Sequence, residues 1–268
     1  FDALLTERPA DIHNFNTHPF LIKKYRTSLH YSGTLIRRLH YPTRRLKAPN
    51  SLLAMAPFAQ SGLSLKTSDI SGIQRGGTLL DQLKYSGPEV DSVAKWWKVS
   101  PLRDTNASVE AFLRLAPLHR ILLLSTHAAS NSDDGKLGWL ALSAGNGQFV
   151  KIYAHEIYGL ELPADLVVLS ACETGIGQTV RGEGVISFAR AFFVAGALGV
   201  APTLWSVEDE STKDVTTSFF KLLNDGKIKK DAALHQAKRD FIDANPLKNH
   251  PYFWAGMTMI GNTTPLQP

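Results

Sequence analysis

The stretch Asp165-Leu-Val-Val-Leu-Ser-Ala-Cys-Glu-Thr-Gly-Ile-Gly177 runs from one charged residue through an aliphatic block to the chain's single cysteine, Cys172, and then into a glycine-rich loop. A short, continuous apolar run closed by glycines reads as a buried strand of an α/β sheet. A second run, Arg120-Ile-Leu-Leu-Leu-Ser-Thr126, ends in the same way on His127. In a parallel sheet, two such strand ends lie on one carboxyl edge, where α/β folds place their chemistry. The pattern therefore brings a thiol and an imidazole within reach of each other.

Working outward, strand-like and helical stretches alternate. Phe20 to Leu29 reads as a strand, Ser32 as the cap of a short helix to Leu39, and Tyr41 to Asn50 as a basic connector. Ser51 to Ala59 reads as a buried strand, and Gln60 to Gly77, rich in Ser and Gly, as an excursion loop. Pro88 opens a helix with Val90, Val93, Ala94 and Trp97 on one face, and Asn106 caps another that Pro117 stops. A hairpin follows, Gly138 to Ser143 and Gln148 to Tyr153 around Asn146-Gly147. Beyond Cys172 come a strongly apolar helix, Glu183 to Gly196, and a buried strand, Leu198 to Val207. A helix with Ser211 and Asp214 in capping-box spacing ends before Gly226, another runs from Asp231 to Asn245-Pro246, and Phe253 to Ile260 reads as a last strand. The expectation is an α/β fold: a mostly parallel central sheet with helices on both faces and a small peripheral hairpin.

Composition narrows the class. With 268 residues, 44% of them hydrophobic, the chain can bury a large core, and residues 1–268 read as one domain. One cysteine excludes an intrachain disulfide, and no apolar run is long enough to cross a bilayer, so a soluble cytoplasmic protein is expected. The net charge of +5 arises mainly in the first fifty residues. No stacking pattern or binding signature accompanies this basic stretch, so nucleic acid and membrane are not expected as partners. The chain starts at Phe1, which suggests a piece of a longer protein.

The chemistry turns on Cys172. A thiol attacks only as thiolate, so its proton must pass to a neighbouring base. Of the nine histidines, His127 alone directly ends a long apolar run. A lone cysteine is as readily a buried small hydrophobe, and a lone histidine a satisfied polar group. The loop glycines Gly175, Gly177, Gly182 and Gly184 form neither a Gly-x-Gly-x-x-Gly turn nor a Gly-Lys-Ser/Thr element, which argues against a nucleotide site. No compact carboxylate loop points to a metal, and no cofactor is expected.

Six segments carry a resemblance. Ser125-Thr-His127, Asp165-Leu-Val-Val-Leu-Ser-Ala-Cys-Glu-Thr-Gly175, Gly182-Glu-Gly-Val185, Ala189-Arg-Ala-Phe192, Leu204-Trp-Ser-Val-Glu-Asp-Glu-Ser-Thr212 and His250-Pro-Tyr-Phe-Trp-Ala255 resemble, in order, the motifs of CHAT domains. These are caspase-like cysteine peptidase domains related to separases. The resemblance implies a caspase-like three-layer sandwich with a catalytic dyad of His127 and Cys172. It implies an oxyanion site made by backbone N–H groups of Cys172, Ala128 and Ala129, and a substrate pocket lined by Trp205, Ser206, Val207, Glu208 and Asp209. The family commonly has glycine after the histidine. Alanine keeps the backbone donor and is strained only where φ is positive.

By the same resemblance the chain is expected to be a cysteine endopeptidase, a thiol protease of bacterial signalling or defence that cleaves a specific protein partner. A gasdermin-like pore former is one such substrate, and upstream helical repeats or an activator protein would be regulatory partners. An acid at Asp209 would select Arg or Lys before the scissile bond. Asp209 equally suits the positive end of the following helix, and an apolar residue against Trp205 remains open. The alternative class is a catalytically silent CHAT-fold scaffold for protein–protein interaction.

Overall fold

The computed structural model describes residues 1–40, 47–60, 80–129, 138–145, 147–170, 172–173, 183–205 and 207–266. Its centre is a sheet of six strands: β1 (Asn50–Ala56), β2 (Leu102–Arg103), β3 (His119–Leu124), β7 (Leu166–Leu169), β9 (Gly199–Pro202) and β10 (Ile260–Gly261). Their spatial order is β10-β9-β7-β3-β1-β2. Each pairing is parallel except that of β10 with β9. The central strands β3 and β7 are aliphatic without alternation because helices cover both faces. At their starts, Arg120 Nη2 donates to Asp165 Oδ2 at 2.6 Å, clipping the two strands together in register.

Successive side chains of these strands feed two separate cores, as a period of two requires. On one face Leu52, Ala54, Ile121, Leu123 and Val168 meet α2 (Ser86–Trp97), α6 (Asp209–Leu223) and α7 (Lys230–Ala244). On the other, Leu53, Leu122, Leu124 and Val167 meet α3 (Val109–Leu115), α4 (Ala154–Ile157) and α5 (Glu183–Val194). The three layers expected from sequence are present.

A second sheet stands beside the first. It has four strands, β4 (His127–Ala129), β5 (Trp139–Ser143), β6 (Phe149–Tyr153) and β8 (Cys172–Glu173), in the order β6-β5-β4-β8. The chain passes from β3 to β4 through Ser125 and Thr126, so His127 opens a strand of the second sheet rather than closing one of the first. Thr126 Oγ1 donates to the Ala141 carbonyl of β5 at this crossing. The expected hairpin is β5 and β6, joined over five residue pairs, and β5 also pairs with β4. It thus reaches the strand that carries the histidine.

Several boundaries differ from the sequence reading. Phe20 to Leu29 forms no strand: Phe20 and Ile22 are buried as a turn, with Lys23 N–H donating to the Phe20 carbonyl at 2.9 Å. Asn106 lies in a preceding turn, and Ser108 caps α3 by accepting from the Ala111 N–H at 3.1 Å. The segment from Phe253 forms the end of α8 (Pro251–Trp254), a bend and the two-residue β10 instead of one strand. Glycine dictates the last of these. Gly261 has φ +88° and sits so close to the Leu198 carbonyl that a Cβ would approach it to 2.7 Å. The apolar helix α5 buries Ala189, Ala191 and Phe192 but leaves Val194 exposed. The excursion loop, from residue 61, Asn146, and the glycine loop after Glu173 lie outside the described residues. The cap of α1 (Gly33–His40) matches expectation, with Ser32 Oγ accepting from the Leu35 N–H at 3.2 Å.

Candidate active site

The pairing of β4 with β8 sets His127 opposite Cys172 in parallel register, with Ala128 opposite Glu173. Adjacent strands lie about 4.8 Å apart, so the two backbones stand side by side. The sequence separates these residues widely. Two parallel strands of the main sheet, β3 and β7, deliver them together because each crosses into the second sheet at the same level.

His127 is 3% exposed. Its Nε2 lies 2.6 Å from the carbonyl oxygen of Asp81. A carbonyl only accepts, so Nε2 carries the proton and Nδ1 presents a lone pair. Nδ1 is buried and has no hydrogen-bond partner among the described residues. The Phe58 ring packs edge-on against the imidazole, with centroids 4.7 Å apart. Burial pushes the imidazole below its ordinary range, and the Asp81 carbonyl and side-chain charge oppose that shift without overcoming it. At neutral pH the ring is uncharged, oriented and equipped with one free basic nitrogen.

The orientation comes from a small satellite core. Phe58, Leu80, Ala141 and Phe149 pack together, joining the end of β1, the segment before α2 and the hairpin. Leu80 is the residue next to Asp81, so its burial fixes the carbonyl that holds Nε2. Sequence reasoning missed both Asp81 and Phe58. Asp81 acts through its backbone, which leaves no mark on residue type.

Glu89 is a further residue that sequence reasoning missed. It lies in the first turn of α2, is fully buried, and accepts a hydrogen bond from Ser170 Oγ at 2.9 Å. A signal existed, because Glu89 stands four residues before Val93 on the buried side of the helix.

Ala128 is paired on both sides, with Leu140 of β5 and Glu173 of β8. Neither Ala128 nor Ala129 has a positive φ, so alanine carries no backbone strain here. Of the pocket candidates, Trp205 is half-buried and its Nε1–H donates to the Tyr252 carbonyl at 3.1 Å. Val207 is buried and lines a small cavity with Thr203, Phe253 and Met257. Glu208 precedes α6 and accepts from Lys248 Nζ and Ser211 Oγ, each at 2.7 Å, which holds its carboxyl below the usual range. Asp209 opens α6, and its Oδ2 accepts from the Tyr85 N–H at 2.6 Å. Burial raises its carboxyl above the usual range, against the Tyr85 N–H and Lys213. Ser206 lies outside the described residues. Among the described residues, no group of three or more His, Cys, Asp or Glu side chains is arranged to hold a metal.

The CHAT domain family model matches residues 2–262. The chain belongs to the CHAT domain family. This CHAT domain is 34% identical over 119 residues to tetratricopeptide repeat protein 28 of Homo sapiens, covering 44% of the chain and 5% of that protein. It is equally identical over 113 residues to the Mus musculus counterpart, covering 42% of the chain and 4% of that protein. The chain therefore spans only a small part of the curated relatives it matches. Among solved structures it is similar to the Arg-specific cysteine proteinase gingipain R, with a TM-score of 0.52 and 8% identity over 87% of this chain and 51% of that one. The fold of the CHAT domain is thus that of caspase-like cysteine proteinases.

Proposed function

We propose that this CHAT domain is a cysteine endopeptidase whose nucleophile is Cys172 and whose general base is His127. The observation that carries the reading is the His127–Cys172 register, combined with an imidazole whose Nε2 is pinned by the Asp81 carbonyl and whose Nδ1 is unpartnered. Nδ1 takes the thiol proton, the thiolate attacks a peptide carbonyl, and the imidazolium returns the proton to the leaving amine. Water, activated by the same nitrogen, then hydrolyses the acyl-enzyme. Backbone N–H groups at Cys172, Ala128 and Ala129 hold the oxyanion.

The substrate is a protein segment in extended form, with its P1 residue beside Trp205 and Val207. Glu208 is engaged by Lys248 and Asp209 by the Tyr85 N–H, so the surroundings favour an apolar P1 residue over a basic one. Gingipain R is Arg-specific, but at 8% identity its preference does not transfer. Control by an upstream repeat region or an activator, action in the cytoplasm, and a bacterial defence setting with a gasdermin-like substrate belong to this proposal as its wider context.

The test is cleavage-site profiling. The protein and its Cys172→Ala variant are incubated with a proteome, and new peptide N-termini are sequenced. Termini made only by the intact protein, with apolar residues before them, are expected. An excess of Arg or Lys there would reassign Asp209 as a pocket acid. No difference between the two proteins would replace this reading with the scaffold.

A further inference from the structure

Glu89 is buried where a carboxyl is costly, with 0% of its surface exposed. Its Oε2 accepts from Ser170 Oγ at 2.9 Å, and the Ser125 hydroxyl stands close enough to interact with the same group. Oε1 has no hydrogen-bond partner among the described residues. The two serines hold corresponding places in the fold. Ser125 follows β3 and precedes His127 by two residues, and Ser170 follows β7 and precedes Cys172 by two. Each marks the crossing from the six-stranded sheet to the four-stranded one. One carboxyl therefore reaches both crossings that lead to the proposed dyad.

We propose that Glu89 is a positioning residue: its carboxyl ties the Ser125 and Ser170 crossings together and so fixes the alignment of His127 with Cys172. The inference rests on the dyad reading above. Glu89 itself is sealed from solvent and acts through the two crossings rather than on a substrate.

The surroundings specify the form that does this. Within α2, Glu89 lies in the first turn, where the helix dipole favours a carboxylate. Desolvation outweighs that preference and pushes the group up to about 8, with the nearby Asp209 carboxyl adding to the shift and the Ser170 and Ser125 hydroxyls opposing it. From α6, Asp209 and Lys213 are the charged groups that act on it, Lys213 favouring ionisation. The β1 residues packed on this side of the sheet, Leu52, Ala54 and Ala56, are apolar. At neutral pH Glu89 is thus a neutral acid with one O–H to donate. Its ionisation at higher pH removes that donor and places an uncompensated charge between the two crossings.

The lone cysteine makes the test direct. The intact protein is alkylated with iodoacetamide from pH 6 to 9.5, and the rate at Cys172 is read by mass spectrometry for wild type, Glu89→Gln, Glu89→Ala and His127→Ala, each with its thermal unfolding recorded. In wild type, the rate expressed per thiolate is expected to bend downward near the ionisation of Glu89. The Gln variant, which keeps an acceptor and N–H donors but cannot ionise, retains most of the neutral-pH rate and loses the bend. The Ala variant is slower throughout by about tenfold, the rate equivalent of one net hydrogen bond. Equal rates for the Ala variant and wild type, or an unchanged bend in the Gln variant, would overturn the proposal. If the Ala variant does not fold, the bend in wild type against Gln decides alone. An unaltered rate in His127→Ala would remove the dyad reading and this inference with it, whereas a slowed His127→Ala beside unaffected Glu89 variants would remove only the inference.

Discussion

At the scale of the residue, His127 shows how burial and one carbonyl give an ordinary imidazole a fixed tautomer and keep it neutral. The Asp81 carbonyl assigns the proton to Nε2, and desolvation keeps the ring neutral below its usual titration range. A base with a lowered pKa remains able to accept a proton at more acidic pH. The acid limb assigned to His127 in a pH profile of peptide cleavage is therefore expected below 6.5, the ordinary imidazole value. A limb at or above that value would mean that the ring is solvated during turnover. Replacing His127 by Ala is expected to lower cleavage by about 10²- to 10⁴-fold, the usual span for a general base, with little change in KM. Both members of the proposed dyad stood out in the sequence because each follows an aliphatic run, and the fold sets them opposite each other on adjacent strands. Asp81 was not, since a backbone acceptor can belong to any residue type, and Glu89 left only the faint trace of an acid on an apolar helix face.

At the scale of the element, sequence reading placed β1, β3 and β7 well as aliphatic blocks, α2 by its helical spacing and α7 by its stop at Asn245-Pro246, whereas α6 begins at Asp209, two residues ahead of the expected capping residue Ser211. The misread segments bury apolar residues without a period. Phe20 and Ile22 enter the core from a turn, and Trp254, Met257 and Met259 enter it from α8 and the bend after it. Apolar density alone does not distinguish such a segment from a strand. The satellite core of Phe58, Leu80, Ala141 and Phe149 was equally invisible, because its members come from three separate parts of the chain. Leu80 is 4% exposed, and Leu80→Ala is expected to cost about 2–4 kcal/mol of stability and also to slow the alkylation of Cys172 by loosening the Asp81 carbonyl. Leu234→Ala, on the far side of the main sheet in α7, should match the stability loss without slowing that reaction. Equal effects on alkylation would show that the satellite core stabilises the fold without orienting the histidine.

At the scale of the whole molecule, the two cores and the buried carboxyls give stability a defined response to pH. Glu89 is raised to about 8 in the folded chain from an ordinary value of 4.5, so the folded state holds its proton more tightly than the unfolded state does. Its contribution is complete below 4.5 and is lost as pH rises toward 8. Asp2 behaves in the opposite sense. Burial opposes its ionisation, but the Lys238 ammonium and Thr27 hydroxyl hold it below the ordinary carboxyl value. Its contribution is present above that ordinary value and disappears as pH falls through the lowered one. Thermal unfolding measured from pH 3 to 9 is expected to show both slopes. Glu89→Gln should flatten the one between pH 5 and 8, and Asp2→Asn the acidic one. A Tm profile unaltered by either substitution would place the pH response elsewhere.

The two sheets are unequal in how extensively their strands are joined. Among the described residues, the central strands of the six-stranded sheet are joined through five and four residue pairs, whereas β4, which carries His127, joins β5 and β8 through two each. Parting the two pairs with β8 leaves the six-stranded sheet and both main cores untouched. At about 1 kcal/mol per net hydrogen bond, a ladder of two pairs contributes about 2 kcal/mol, a small share of what holds a domain of this size together. A ligand that favours the paired strands about a hundredfold would add about 2.7 kcal/mol, as much as the ladder itself supplies.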